Sequence, residues 1–300
     1  MAADVPHPAF EPYVGETVPQ AAPGSPGKDG RLELEFARSD GETRLVRDFA
    51  RAPFHVSGTL DHDPIDEAAT VFVQSPTGGI AQGDRHDVRV TVGPAAVAHV
   101  STQSSTKVFS METNYAQADV SLSVASGGHL EYVPEPTILH PNARFCQSLS
   151  LSVAADASAV VGDIVVPGRL ARGEDFDFER YYARTTVRGP DGLLAEDATH
   201  LQPGAQSPQV PGVLGDASVY GTIFVVAPAA DAEALSDDVH EAVRDTDAPV
   251  DAGATTLPNG AGVAVRALAE TTEPVRDSLR AGWDVARRRL CDATAPPRRK

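Results

Sequence analysis

Gln147-Ser-Leu-Ser-Leu-Ser-Val153 indicates the fold class most clearly, because serine alternates along it with aliphatic residues. Successive side chains of a β-strand point to opposite faces, so this alternation predicts a strand with one apolar and one polar face. The same pattern recurs in Arg31-Leu-Glu-Leu-Glu-Phe36, Asp87-Val-Arg-Val-Thr-Val92 and Ala118-Asp-Val-Ser-Leu-Ser-Val124. None of these runs contains glycine or proline, which favours regular strands.

Turn sequences separate the strands, for example Gly93-Pro94, Ser126-Gly-Gly128 and Pro190-Asp-Gly192. Many short strands with such turns, and no regular alternation with helices, are typical of an all-β architecture. We therefore predict a mainly β fold with a large, multi-stranded, two-layer or β-helix-like arrangement. The successive runs differ in length and share no motif, so the sequence shows no repeat of fixed period.

The periodicity changes near the C-terminus, where a small helical part is expected. Residues 231–244 have apolar side chains at helical spacing, and so do residues 273–290. Thr272, which directly precedes the second segment, is its predicted N-cap. Between these helices, the sequence predicts a loop with Pro249 and Pro258, followed by a strand over residues 261–268.

These patterns divide the chain into four parts. Residues 1–30 contain six prolines and no apolar signal-peptide core, so we expect a disordered leader. A β-rich domain covers residues 31–227, and residues 228–292 complete the same domain with helices and one strand. Residues 293–300 are expected to be a disordered tail. Because no apolar run is long enough to span a bilayer, we expect a cytoplasmic protein without a membrane partner.

The charge composition indicates the host and excludes one class of partner. The formal net charge is −17, and only three lysines occur, Lys28, Lys107 and Lys300. Phosphate binding needs clustered basic residues, so a nucleic-acid partner is not expected. A surface rich in carboxylates and poor in lysine stays hydrated in molar salt, where charge repulsion is strongly screened. We infer that the host is a salt-in halophile. Most acidic residues on the protein surface would then serve to keep the protein hydrated.

Motifs for catalysis or stable metal binding are missing from the sequence. Gly78-Gly-Ile-Ala-Gln-Gly-Asp84 has neither the P-loop ending nor the dinucleotide-binding spacing. The nine histidines are scattered, and Cys146 and Cys291 match no zinc or redox spacing. For the histidines we favour surface or core positions, and for both cysteines buried inert thiols. The sequence therefore predicts a protein that is not an enzyme and holds no cofactor stably.

Carboxylates within apolar strands are the most informative polar residues. Asp163 lies within Val160-Val-Gly-Asp-Ile-Val-Val166, where a charge is costly unless it is paired or lines a wet cavity. Glu131 and Glu135 flank Tyr132-Val-Pro134, and Glu174 and Glu196 follow short apolar or glycine-containing segments. An outward-facing position on an acidic surface remains the alternative for each of them.

Five motifs in the same order resemble the UreD (also called UreH) family of urease accessory proteins. Three are Gly78-Gly79 with Gly83-Asp84, Ser101-Thr-Gln-Ser-Ser-Thr-Lys-Val-Phe109, and Leu130-Glu-Tyr-Val-Pro-Glu-Pro-Thr-Ile-Leu-His140. The fourth joins Asp163-Ile-Val-Val-Pro-Gly-Arg169 to Arg172-Gly-Glu-Asp-Phe176, and the last joins Val265-Arg-Ala-Leu268 to Val275-Arg-Asp-Ser-Leu-Arg-Ala-Gly-Trp283. With the composition, the resemblance indicates a member from a halophilic archaeon.

The resemblance implies a scaffold for urease maturation. Proteins of this family are β-rich and act with UreF-type and UreG-type accessory proteins on apo-urease, with nickel proposed to pass through the UreD-type subunit. It implies Asp84, Glu135, Asp163 and Glu174 as candidate carboxylates for a transient nickel path or for docking, and Glu196 joins them on its local context. Oxygen ligands hold nickel less tightly than imidazole or thiolate, which suits an ion in transit.

Two other functions remain open from the residues alone. A β-sandwich binding module, for example for carbohydrate, is one alternative, although aromatic residues make up only 6% of the chain. A β-rich hydrolase is the other, although no nucleophile–base signature supports it.

Overall fold

The computed structural model describes residues 5–16, 18, 26–61, 63–246 and 248–297. The protein is mainly β, with stacked coils like those of a β-solenoid, which confirms the predicted fold class. The helices are α1 (Glu11–Val14), α2 (Ala232–Arg244) and α3 (Thr272–Cys291). The strands are β1 (Asp29–Ser39), β2 (Glu42–Arg51), β3 (His55–Leu60), β4 (Ala69–Gln74), β5 (Gly79–Ile80), β6 (Arg85–Val92), β7 (Val97–Thr102), β8 (Thr106–Val108), β9 (Ala116–Val124), β10 (His129–Tyr132), β11 (Thr137–Leu139), β12 (Arg144–Val153), β13 (Ser158–Val166), β14 (Arg180–Gly189), β15 (Gly192–Leu201), β16 (Val219–Val226), β17 (Asp251–Thr256) and β18 (Gly262–Ala269).

Two large sheets face each other across the main core. The first sheet has the strand order β15-β14-β12-β9-β6-β1-β2. The second follows the order β17-β18-β16-β13-β10-β7-β4-β3. The serines of Gln147-Ser-Leu-Ser-Leu-Ser-Val153 point away from the second sheet, while Leu149, Leu151 and Val153 are buried between the sheets. The alternation in the sequence thus became the inner and outer faces of the first sheet.

The chain winds between the sheets in coils. Each coil runs from a strand of the second sheet through a short strand to the first sheet, as in β4–β5–β6, β7–β8–β9 and β10–β11–β12. Equivalent strands of successive coils pair in parallel. The second-sheet strands begin at residues 69, 97, 129 and 158, so the coils differ in length. That unequal length explains why the sequence shows no fixed period.

The second sheet is interrupted beside β13. Strand β10 pairs with β13 from His129 to Tyr132, and β11 resumes pairing only at Thr137, opposite Val165. The intervening Val133-Pro-Glu-Pro136 contains two prolines, which have no N–H to donate to a ladder. Residues 162–164 of β13 therefore lack a strand neighbour on this side, although they remain paired with β16 on the other.

Helices α2 and α3 cover the outer face of the second sheet. Their buried side chains form an apolar cluster with β16 and β18. The approach is close at Gly221, where a Cβ atom would lie 2.5 Å from Leu279 Cδ1, so any larger residue would push α3 away. The described part of the chain has no helix whose length and apolarity suit a bilayer span.

Two local predictions for this region were wrong. The N-cap of α3 is Thr271, which has extended backbone angles, and Thr272 is already the first helical residue. The predicted loop before β18 contains β17, whose sequence Asp-Ala-Gly-Ala-Thr-Thr has low strand propensity. Strand β17 forms because it pairs with the edge of β18.

Part of the predicted disordered leader is folded. Phe10 is fully buried, and together with Tyr13 it packs against Tyr115, Cys146 and Tyr182 on the outer face of the first sheet. Strand β1 also begins at Asp29, inside the predicted leader. A proline-rich composition did not reveal these two aromatic anchors. Residues 1–4, 17 and 19–25 of the leader lie outside the described residues.

The predicted tail also contains folded residues. Arg280 Nη2 donates hydrogen bonds to the carbonyl oxygens of Ala295 and Pro296, at 3.3 and 2.7 Å. Ala295 is buried against α3. The disorder prediction therefore fails for residues 293–297, whereas residues 298–300 lie outside the described part. The remaining domain boundaries stay predictions.

Replacing Phe10 by alanine tests whether the N-terminal segment belongs to the fold. We expect a loss of about 3–5 kcal/mol in the free energy of unfolding, because a fully buried aromatic side chain is removed. Phe49→Ala is the matched control, since Phe49 is 44% exposed, and it should cost less than about 1 kcal/mol. Equal small effects in denaturant titrations would show that the segment contributes nothing to stability.

Candidate functional site

Two cavities lie on opposite sides of the second sheet and share a wall at its interruption. The first, here called the lumen cavity, has a volume of about 140 Å³ and lies between the two sheets. The second, here called the α3 cavity, has a volume of about 120 Å³ and lies between the outer face of the second sheet and α3. The residues that line both are Ser101, Thr102, Pro134, Gly162 and Asp163.

Asp163 is the charged residue shared by the two cavities. It lies deep in the protein, yet it retains accessible surface, because that surface faces the cavities rather than bulk solvent. The Tyr181 hydroxyl donates a hydrogen bond to Asp163 Oδ2 at 3.2 Å. Burial raises the pKa of Asp163 to about 6, and the hydrogen bonds from Tyr181 and from the backbone of Ile164 offset only part of that rise. The carboxylate is therefore mostly ionised at neutral pH. The groups that shift its pKa include no cationic side chain.

Each cavity reaches the surface at a different place. Exposed residues Ser75, Gly78 and Ser104 form part of the lumen cavity wall, so this cavity opens between the loops after β4 and β7. The α3 cavity opens beside Glu135 and Arg276. Arg276 Nη2 lies 3.0 Å from Glu135 Oε2, and both side chains are partly exposed. Glu135 is thus a predicted site residue that the structure places next to the Asp163 region.

The other predicted carboxylates lie elsewhere. Asp84 is fully buried and accepts hydrogen bonds from the backbone N–H groups of Lys28 and Ala81, at 2.7 and 2.9 Å, so it closes the turn before β6. Glu174 forms an ion pair with Arg169, whose hydrogen bond lowers the pKa of Glu174. Glu196 is exposed on β15 and accepts a hydrogen bond from Thr186. None of the three is among the described residues that line the two cavities.

A buried network of charged side chains lies beside the α3 cavity. Arg287 of α3 is fully buried and contacts both Asp63 and Glu131, with its Nε 3.1 Å from Glu131 Oε1. Trp283 Nε1 donates to the same Glu131 oxygen at 2.8 Å. His129 Nε2 lies 3.4 Å from it. The network joins α3 to β10 and to the segment before β4, and so fixes one wall of the α3 cavity.

Positive charges surround Glu131 in this network. Burial would lower the pKa of His129, but hydrogen bonds and charge interactions with Cys291 and Glu131 raise it to about 10. Burial would raise the pKa of Glu131, but His129, His99 and Arg287 lower it to about 2. Arg287 and protonated His129 therefore both stabilise the Glu131 carboxylate at neutral pH.

Asp63, His99 and Glu131 have the spacing of a metal site, with ligand atoms within 4.8 Å of one another. The Arg287 guanidinium already contacts both carboxylates, however, and His129 adds a second positive charge. A divalent ion would place two more positive charges beside these buried cations, which is unfavourable in a low-dielectric interior. We therefore interpret this trio as an anchor for α3 and not as a metal centre.

Sequence analysis did not identify this network as a unit. Asp63 and Arg287 are separated by 224 residues, and no local spacing links them. Glu131 was noted within its apolar strand, but its neighbours across the strands could not be known. The prediction of a buried thiol holds for Cys146, whose pKa burial raises to about 12. Cys291, by contrast, is only half-buried, and its interaction with His129 helps to raise the pKa of that histidine.

Replacing Arg287 by alanine tests the anchor. Asp63 and Glu131 would lose a buried counter-charge, so we expect the free energy of unfolding to fall by about 3–5 kcal/mol. Arg288→Ala is the control on the same helix, because Arg288 pairs with Asp284 at the surface, and it should cost less than about 1 kcal/mol. If both substitutions have the same small effect, the network is not an anchor.

Asp163 is expected to destabilise the fold at neutral pH. Because folding raises the pKa of Asp163, protonation of this residue favours the folded state. This stabilising contribution is lost as the pH rises from about 4 through about 6. Asp163→Asn should therefore raise the free energy of unfolding at pH 7 by on the order of 2 kcal/mol. The gain should shrink as the pH falls below 6 in denaturant titrations. A variant that is less stable than the wild type at pH 7 would show that the charge is compensated.

Comparison with known proteins assigns the chain to a family. A sequence profile described as UreD urease accessory protein matches residues 28–300. A urease accessory protein UreD from Haloarcula marismortui is 64% identical over 300 residues, which is 100% of both chains. Proteins of the same name from Natronomonas pharaonis and Cenarchaeum symbiosum are 43% and 32% identical, covering 97% and 94% of this chain and 98% and 99% of theirs. The chain therefore belongs to the UreD family of urease accessory proteins.

Proposed function

We propose that this protein is a scaffold for nickel delivery to apo-urease, in which the ion crosses the second sheet at Asp163. The observation that carries the proposal is the position of Asp163, a residue that lines two cavities on opposite sides of the second sheet. A buried charge without a neighbouring cation costs stability, so its retention favours a role in binding a passing cation. Nickel is the cargo here and not a resident cofactor.

The chemistry around Asp163 suits weak and reversible binding. The hydroxyl groups of Ser101 and Thr102 belong to the same shared wall. A carboxylate and hydroxyl groups offer only oxygen ligands, which bind nickel less tightly than imidazole or thiolate ligands do. An ion held by such ligands can exchange onward to a stronger site on a receiving protein. We therefore propose no stably bound cofactor and no catalytic step in this chain.

The partners and compartment follow from the family and stay proposals. We propose that the chain acts in the cytoplasm with UreF-type and UreG-type accessory proteins and docks on apo-urease. Family membership favours this role over the carbohydrate-binding and hydrolase alternatives. Two adjoining cavities that share the carboxylate-bearing residue Asp163 also support it.

Nickel content of urease after co-expression tests the path. With the three proposed partners present at high salt, Asp163→Asn should lower the nickel content of urease several-fold while the accessory complex still co-purifies. Glu196→Gln is the matched control, because Glu196 is an exposed carboxylate on the outer face of β15. It should leave the nickel content unchanged.

The two possible failures have different meanings. Normal nickel loading with Asp163→Asn would remove Asp163 from the path. A failure of the wild-type chain to co-purify with UreF-type and UreG-type proteins would contradict the scaffold role itself.

A further inference from the structure

The α3 cavity has a charged pair at its mouth and an ionised carboxylate without a counter-ion at its depth. Glu135 and Arg276 form the pair, with 3.0 Å between Oε2 and Nη2, and 37% and 28% of their side chains are exposed. Asp163 lies further in, where its neighbours are the Tyr181 hydroxyl and the backbone of Ile164. An entering cation therefore passes the paired Glu135 before it reaches Asp163, and Arg280 also lines this cavity, where its guanidinium donates to the carbonyl oxygens of Ala295 and Pro296.

Arg276 also has a second carboxylate within reach. Its Nε lies 3.9 Å from Glu273 Oε1, three residues earlier on α3. The guanidinium can thus leave Glu135 and keep an ion-pair partner on its own helix. The wall that carries it need not move, because Arg287 and Trp283 fix α3 to β10 through the buried network.

The backbone of Glu135 is held in place while its side chain is paired. The Glu135 N–H donates a hydrogen bond to Thr102 Oγ1 at 2.9 Å. Thr102 itself belongs to the wall that the two cavities share. The backbone of Glu135 is therefore hydrogen-bonded to the shared wall of the two cavities, where the ion is proposed to cross.

We propose that the Glu135–Arg276 pair is a selectivity gate that keeps monovalent cations out of the α3 cavity and admits a divalent ion by exchange. This inference rests on the proposed nickel path and adds Arg276 as a residue that determines which ion enters. The exchange moves the guanidinium from Glu135 towards Glu273 as the divalent ion binds Glu135.

Electrostatics explain why such a gate selects charge. At equal distance, the attraction between a divalent ion and a carboxylate is twice that of a monovalent ion. The Arg276 guanidinium, which is tethered to α3 and whose Nη2 lies 3.0 Å from Glu135 Oε2, is a stronger competitor for this carboxylate than a weakly held monovalent ion. The composition predicts a host with molar salt, where monovalent cations compete for any unpaired carboxylate at the mouth.

Potassium dependence of urease activation tests the gate. Activation by the purified complex with nickel is measured at a fixed molar chloride concentration, with potassium replaced stepwise by tetramethylammonium, a bulky cation whose methyl groups keep its charge away from a carboxylate. The wild-type rate should change little. Arg276→Gln should match the wild type in tetramethylammonium but be inhibited by potassium about threefold more, the size that one half-exposed ion pair supports.

Two further variants complete the experiment. Arg289→Gln removes an exposed arginine of the same helix that pairs with Asp238 outside the cavities, and it should behave as the wild type. Arg276→Lys keeps the positive charge and should restore most of the resistance to potassium. Thermal unfolding of each variant shows whether the fold is intact.

Each outcome decides between the gate and the path. Unchanged potassium dependence in Arg276→Gln, or loss of activation in both salts, would overturn the gate. Asp163→Asn is run in parallel. If this variant activates urease normally, the proposed nickel path is wrong. If activation depends on Asp163 but not on Arg276, the path stands and only the gate is wrong.

Discussion

The candidate site is built around a gap in the second sheet, between the part of β13 that pairs with β10 and the part that pairs with β11. Pro134 and Pro136 supply no N–H, so pairing stops at Tyr132 and resumes at Thr137. A continuous sheet would separate the lumen cavity from the α3 cavity with a wall of hydrogen-bonded backbone. At the interruption that backbone ladder is absent, and Gly162 and Asp163 line both cavities.

The charged residues of this protein fall into two groups with opposite physical settings. Glu131, Glu174 and Asp84 are stabilised by cations or by backbone N–H groups, and they hold the structure together. Asp163 has only weak donors, and burial raises its pKa to about 6. In a chain with a net charge of −17, carboxylates alone say little about function. What distinguishes Asp163 is that it is ionised, buried and uncompensated at once.

The sequence was sufficient for the fold class because alternation in single strands already defines the two faces of a sheet. It also drew attention to Asp163 as a candidate, since a charge within Val160-Val-Gly-Asp-Ile-Val-Val166 has few stable settings, and the role of this residue stays a prediction. The buried network could not be predicted, because Asp63 and Arg287 meet only after the coils have stacked. For the same reason the sequence grouped Asp84, Glu174 and Glu196 with Asp163, although the fold places them apart from the cavities. Composition also concealed Phe10, whose burial depends on a groove between distant strands.

Anomalous X-ray scattering at the nickel edge, from crystals soaked with nickel, would locate the ion and show whether it rests beside Asp163. A nickel ion that crosses the second sheet must rest, at least transiently, beside the carboxylate that the two cavities share. The expected result is an anomalous peak within coordination distance of Asp163, which disappears in crystals of Asp163→Asn. Peaks confined to exposed carboxylates such as Glu196, with none in either cavity, would contradict passage through this site.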